Sequence, residues 1–201
     1  MMPQWFIEGG PVMWPLLICS IAALAIFLEK LVSLRRHKII PHQLKSSVDQ
    51  LLSQKKVSEV EVLCKNDSST LASILLAGVE HNGKTRDRIK ESIEEVGKKE
   101  VLDLSKNIGA LATIAHISPL LGLLGTVMGM LRVFHVITAQ GVGNAQSLAG
   151  GIAEALITTI AGLIIAIPTL VANRYLVAKV KTYITEIESY ALKVTDFLAK
   201  D

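Results

Sequence analysis

The sequence predicts an all-α membrane protein with three transmembrane helices, long cytoplasmic helical extensions, an external N-terminus and an internal C-terminus. Three observations predict it. Half of the 201 residues are hydrophobic, and the mean hydropathy is +0.44, too oily for an ordinary soluble domain. The apolar residues are gathered into blocks at 12–28, 108–131 and 148–172, each about as long as the ~20 helical residues that cross a ~30 Å hydrocarbon core. Basic residues follow the first block at Lys30, Arg35, Arg36 and Lys38 and the third at Arg174, Lys179 and Lys181.

Residues 1–11 form a short periplasmic N-terminus and 12–34 the first span. A cleaved signal peptide would open on positive charge, whereas MMPQWFIEGG has no Lys or Arg. The positive cluster Lys30, Arg35, Arg36 and Lys38 follows the span instead. That order places its C-terminal end inside, and Trp5 and Trp14 suit the outer interface. The cytoplasmic region is 35–107, with charges of both signs. Span two is 108–137, an uncharged periplasmic loop is 138–147, span three is 148–173, and a cytoplasmic helix is 174–201.

Within the cytoplasmic region, 42–55 and 57–65 are amphipathic, and NDSS at 66–69 suits a cap for a helix over 70–81. HNG at 81–83 signals a turn. A charged helix starts at Thr85, with apolar positions Ile89, Ile93, Val96, Val101, Leu102 and Leu104. No proline intervenes before Pro119, so one helix is expected from about 85 to about 137, ~80 Å long at ~1.5 Å per residue. The third span is expected to continue into the tail. There Val177, Val180, Ile184, Ile187, Ala191, Val194 and Leu198 recur at helical spacing. These charged faces read either as solvated surface or as a docking surface.

A net charge of +3 without a basic, aromatic-interleaved stripe gives no nucleic-acid site. Cys19 and Cys64 lie too far apart in setting for a disulfide, and no metal-ligand spacing occurs. GxSxG, HExxH and the P-loop are absent from the sequence. No catalytic residue, cofactor or metal is assigned.

Glu154 carries the functional signal. Between Lys106 and Arg174 the only other ionisable residues are His116, Arg132 and His135. A carboxylate facing lipid costs at least ~3 kcal/mol, so Glu154 should face a bundle interior or a watery cavity. Burial there penalises the charged form, which suits proton exchange; the structural alternative is a carboxyl that merely hydrogen-bonds a neighbouring helix. Gly151, Glu154, Thr158, Ala161 and Gly162 share one stripe, with Thr159 at its border; Ser118, Gly122, Gly125, Thr126 and Gly129 form a matching one. Small residues at this spacing let helices approach closely in lipid. By counting, Thr126 and Thr159 lie at similar depth with Glu154 about one turn above. Each threonine reads either as polar lining or as a hydroxyl bonded to its own i−4 carbonyl. Pro168 shapes the helix, Pro119 kinks or breaks the second span, Arg132 and His135 snorkel at the outer interface, and His116 is structural.

SPLLGLLGTVMGM (118–130) and GIAEALITTIAGLIIAIPTLVANR (151–174) resemble the ExbB/TolQ/MotA proton-channel family, and FLEKLVSLRR (27–36) resembles its ExbB/TolQ branch. MotA itself is disfavoured, since flagellar stators have four spans. The resemblance implies a homopentamer in the bacterial inner membrane. Its pore would hold the single-span helices of a dimer of an ExbD/TolR-like partner bearing an essential aspartate. The proton-motive force would drive rotation and energise a periplasmic client, TonB or TolA. It also implies that Glu154 is the membrane glutamate and that Thr126 and Thr159 line the pore. Two positions depart from the family: Met128 stands where many members have Trp, and Thr158 adds a hydroxyl where Ala is usual. Oxygen ligands suit hard cations, so Thr158 raises Na⁺ coupling as an alternative to H⁺. A TolQ-type role in envelope integrity and a scaffold without ion coupling are the other readings. An intramembrane enzyme would need a second catalytic group, and none is in the sequence.

Overall fold

The computed structural model describes residues 4–141 and 145–199; Val142–Asn144 of the expected outer loop, the first three residues and the last two lie outside the described residues. The described residues form helices joined by short turns, with no strand among them: α1 (Gln4–Glu8), α2 (Met13–Ser33), α3 (Arg36–Ile39), α4 (His42–Ser53), α5 (Val57–Lys65), α6 (Thr70–Val79), α7 (Arg86–Ser105), α8 (Ile108–Gln140) and α9 (Ala145–Leu198). Three stretches are long and apolar enough to cross a membrane: α2, the apolar part of Arg86–Ala139, and Leu148–Leu198. They leave large side chains such as Leu24, Leu120, Phe134, Ile160 and Ile164 exposed, the surface expected of helices whose surroundings are lipid or other protein. The chain divides into two compact units, one of residues up to Leu28 with Asn107–Tyr175, the other of Glu29–Lys106 with the rest of α9.

In the span-bearing unit, α8 and α9 run side by side through their glycines. A β-carbon on Gly162 would meet the Ser118 carbonyl at 2.6 Å, one on Gly122 the Thr158 carbonyl at 3.0 Å, and one on Gly129 the Gly151 carbonyl at 2.6 Å. Only hydrogen fits at these places, and the backbones approach accordingly. Pro119 and Pro168 both lie inside continuous helices. Pro119 therefore produces no break in α8. Pro168 stands on an exposed face among Ile160, Leu163, Ile164 and Ile167, outside the seam between α8 and α9. The N-terminal segment folds onto this pair. Phe6, Val12, Met13 and Leu16 are buried against Leu121, Met128, Ile157, Ala161 and Ile165, and Phe6 lies edge-on to both Trp5 and Trp14. Met128 thus fills space between helices with a flexible thioether.

The second unit is built around α6, in which Leu71, Ala72, Ile74, Leu75, Ala77, Gly78 and Val79 are all buried. Its start is fixed by Ser69, whose hydroxyl accepts from the Ala72 amide at 3.3 Å, while Asp67 accepts from the Ser69 amide at 2.8 Å. This is the capping arrangement that satisfies an orphan N-terminal donor. The chain leaves α6 through the His81–Gly83 turn, where Gly83 has φ +78°, a conformation glycine adopts freely.

Two sequence expectations change here. The single helix foreseen over 85–137 is divided: α7 ends at Ser105 and α8 begins at Ile108, because Lys106 turns extended, ψ 139°, and Asn107 adopts a left-handed conformation, φ +63°. Asn is among the few residues that enter that region readily, so neither Gly nor Pro is needed for the break. The tail of α9 is helical as expected, and the foreseen Val180, Ile187, Ala191, Val194 and Leu198 are buried, but Leu176, Tyr183 and Tyr190 join them and Val177 is 47% exposed. The tyrosines hold this stripe through polar tips: Tyr183 donates to the Leu34 carbonyl at 3.2 Å, and Tyr190 donates to the Lys45 carbonyl and Asp49 at 3.1 and 3.2 Å.

Candidate functional site

The site grows from the antiparallel register of α8 and α9. Gly122 meets Thr158 and Thr159, Gly125 meets Thr158, and Gly129 meets Gly151 and Ala155. Arg132 stands about one turn of α8 beyond Gly129, within reach of a long side chain from Glu154. There Arg132 Nη1 lies 2.5 Å from Glu154 Oε2, and the Glu154 side chain is 4% exposed while that of Arg132 is 57% exposed. A charge-assisted bond of this length supplies the compensation that a buried carboxylate requires. Arg132 is thus not simply an interfacial side chain reaching for water: its head group is the ion partner of Glu154.

The other side of Glu154 is closed by the N-terminal segment. Gly10, at φ +68°, lies so close to Oε1 that a β-carbon there would collide with the carboxyl. Gly9 is packed just as tightly on Met13 and Ile157. Sequence reasoning misses Gly10, for which GG offers only a turn signal. Arg132 carries a usable one: it continues the i+3 spacing from Gly129 and has the complementary charge.

The three threonines take different places. Thr158 is fully buried, and its hydroxyl donates back along α9 to the Glu154 and Ala155 carbonyls, each at 3.0 Å. Thr159 is partly buried; it donates to the Ala155 carbonyl at 3.1 Å and makes a long contact of 3.5 Å with the Gly122 carbonyl on α8. Thr126 donates to the Leu123 carbonyl at 2.6 Å. In this single chain all three hydroxyls are therefore engaged by helix backbone, the behaviour ordinary for threonine in apolar helices. Thr159 alone among them adds a polar contact to the facing helix. At the far end of the unit Asn173 donates to the Ile108 carbonyl at 2.9 Å, tying the start of α8 to α9. His116 Nδ1 and the Ala112 carbonyl are 2.6 Å apart, and His135 is exposed.

The chemistry available is limited. Among the described residues no group of three His, Cys, Asp or Glu could hold a metal ion. What the site offers is one carboxylate, buried in a small-residue seam, with an outward-facing cation on one oxygen and backbone on the other. This suits taking up and releasing a proton or small cation better than covalent chemistry.

Comparison with known proteins points the same way. The family model described as the MotA/TolQ/ExbB proton channel family matches residues 66–189. An ExbB-like biopolymer transport protein of Synechocystis is 32% identical over 86% of this chain and 69% of its own. The biopolymer transport protein ExbB of Aquifex aeolicus is 35% identical over 57% of this chain and 77% of its own. The Tol-Pal system protein TolQ of Haemophilus influenzae is 40% identical over 41% of this chain and 36% of its own.

Proposed function

The chain belongs to the MotA/TolQ/ExbB proton channel family, and from that premise we propose that it is the channel subunit of an ExbB–ExbD-type motor of the bacterial inner membrane. The proton-motive force drives it, and the work passes to a periplasm-spanning client such as TonB. The N-terminus lies in the periplasm and the C-terminus in the cytoplasm, in keeping with the basic residues that follow the first and third spans. A homopentamer would enclose the single-span helices of an ExbD/TolR-like dimer. Exposed apolar faces on α2, α8 and α9 provide surface for both copies and lipid.

The observation that carries this reading is Glu154, a buried ionisable side chain in a segment apolar enough to cross a membrane. Such groups mark ion paths. Thr159 and Thr126, below it along the α8–α9 register, would line the path. Thr158 is the weakest member of that set, being fully buried and bonded within its own helix.

Proton flux in proteoliposomes, with the ExbD/TolR-like partner reconstituted beside the chain, tests it. Flux should require the partner and should be lost in Glu154→Gln, while assembly persists. Unchanged flux in Glu154→Gln would make the carboxylate structural. Replacing Na⁺ throughout by an impermeant cation separates H⁺ from Na⁺ coupling. A TolQ-type role is the second reading, favoured by the 40% identity to TolQ. Complementation of strains lacking either system separates the two clients.

A further inference from the structure

The Glu154 carboxylate has two oxygens, and each meets a different element. Oε1 abuts the backbone at Gly10, and Oε2 takes the Arg132 guanidinium at 2.5 Å. The pair is asymmetric. The Glu154 side chain is 4% exposed and cannot turn outward without unpacking the seam, whereas Arg132 is 57% exposed at the end of a long flexible stem. If the two separate, it is Arg132 that moves, because its head group lies outside the seam on a long flexible stem that can snorkel toward the outer interface, while an expelled carboxylate would have to cross packed helix.

The geometry points to Arg132 as a tethered cation that occupies, on Glu154 Oε2, the position a transported proton must take. This deepens the reading of Glu154 as a proton-path carboxyl and rests on it. Uptake is then an exchange: the guanidinium swings off Oε2, an aqueous proton forms an O–H bond there, and the charge of Arg132 remains on the exposed side. Release reverses it: the O–H bond breaks, the proton leaves to water, and the guanidinium returns to the carboxylate. Arg132 carries no proton itself, since a guanidinium does not deprotonate in proteins. It is a positioning residue that decides when Glu154 is open. Gly10 closes the other oxygen, so the exchange has one entrance.

The test uses N,N′-dicyclohexylcarbodiimide, an apolar reagent that adds to protonated carboxyls, on the full chain in detergent, with the adduct on Glu154 read by mass spectrometry. The wild type should label slowly. Arg132→Gln, and Arg132→Met as a second neutral variant that keeps the apolar stem, should label at least about ten-fold faster. Arg132→Lys, which keeps the charge, should stay close to wild type, and Glu154→Gln supplies the blank. Equal rates in the wild type and both neutral variants would overturn the proposal. So would Arg132→Lys labelling as fast as Arg132→Gln, because charge would then not be what guards the oxygen. Labelling requires neither partner nor flux. A Glu154→Gln variant that conducts normally would sink the proton-path reading, and that measurement is separate from this one.

Discussion

Thr158 occupies the space over Gly125: a β-carbon placed on Gly125 would fall within the threonine side chain, with Cγ2 at 2.7 Å. The contact is between neighbouring helices in the middle of the seam, and Thr158 is fully buried, so neither side can yield cheaply. Gly125→Ala should therefore destabilise the α8–α9 pair by about 1–3 kcal/mol, the usual cost of forcing an extra carbon into a filled core. A β-carbon on Gly97 in α7 would meet nothing within 4 Å, so Gly97→Ala should instead stabilise by about 0.5–1 kcal/mol through helix propensity. Thermal unfolding of the two variants in one detergent checks the opposite signs.

Alkaline pH should loosen the helical unit around α6 in two stages. Burial, followed by the neighbouring Asp67 charge, raises the Cys64 thiol from 9.0 to about 11. A group held more tightly protonated in the folded state contributes stability that is complete below its unfolded value and is lost as pH rises through the folded one. For Cys64 that window runs from 9.0 to about 11. Burial, and then Asp49, pushes the Tyr190 phenol above its ordinary 10.0, so its contribution begins to fall above that pH. Denaturant midpoints measured from pH 8 upward should decline across these windows. Cys64→Ala should flatten the first part of the decline, and an unaltered slope in that variant would remove the thiol from the account.

Tyr190→Phe isolates the polar part of the α9 stripe. The hydroxyl donates to the Lys45 carbonyl and lies 3.2 Å from Asp49 Oδ1, while Lys45 Nζ stands 4.9 Å over the ring. The ring remains in the variant, so only the hydroxyl contribution is lost, about 0.5–1.5 kcal/mol. The exposed Arg86–Asp196 pair offers a control, since pairs of that kind contribute about 0–1 kcal/mol. Chemical denaturation should rank Tyr190→Phe above Arg86→Ala in cost.

The fold class and the three apolar helices were legible because hydropathy and helical spacing act over many residues and tolerate local error. The seam was legible for the same reason: Gly122, Gly125 and Gly129 face Gly151, Thr158 and Gly162 in a repeat that little besides close helix contact requires. What escaped depends on single residues. Lys106, with ψ 139°, and the left-handed Asn107 break the helix between α7 and α8, which no periodicity reveals. Leu176, Tyr183 and Tyr190 join the foreseen Val180, Ile187, Ala191, Val194 and Leu198 on the tail's buried face while Val177 leaves it, because the shift from Val177 to Leu176 is one residue and an amphipathic tyrosine reads poorly as core. Arg132 reads as an interfacial side chain because snorkelling is the usual fate of an arginine near a span end. Its spacing from Gly129 and its charge hint at the seam, but the pairing with Glu154 itself follows from the antiparallel register of α8 and α9.

Gly10→Ala gives the sharpest check on the closed side of Glu154. At φ +68° an alanine costs about 1–2 kcal/mol from backbone alone. Its β-carbon would also strike Glu154 Oε1, which belongs to a buried carboxylate held from the other side by Arg132. The less constrained partner must give way. The N-terminal segment is the shorter element, anchored by Phe6, Val12, Met13 and Leu16, so it should lift from α9 rather than displace the carboxylate. Phe6 and Trp5 would then leave the cleft they share with Ala161 and Ile165. Tryptophan fluorescence should shift and melting temperature should fall in Gly10→Ala, whereas Gly83→Ala, also at positive φ but with nothing within 4 Å, should show the backbone penalty without the spectral change. Identical spectra for Gly10→Ala and the wild type would mean that the segment does not seal Glu154.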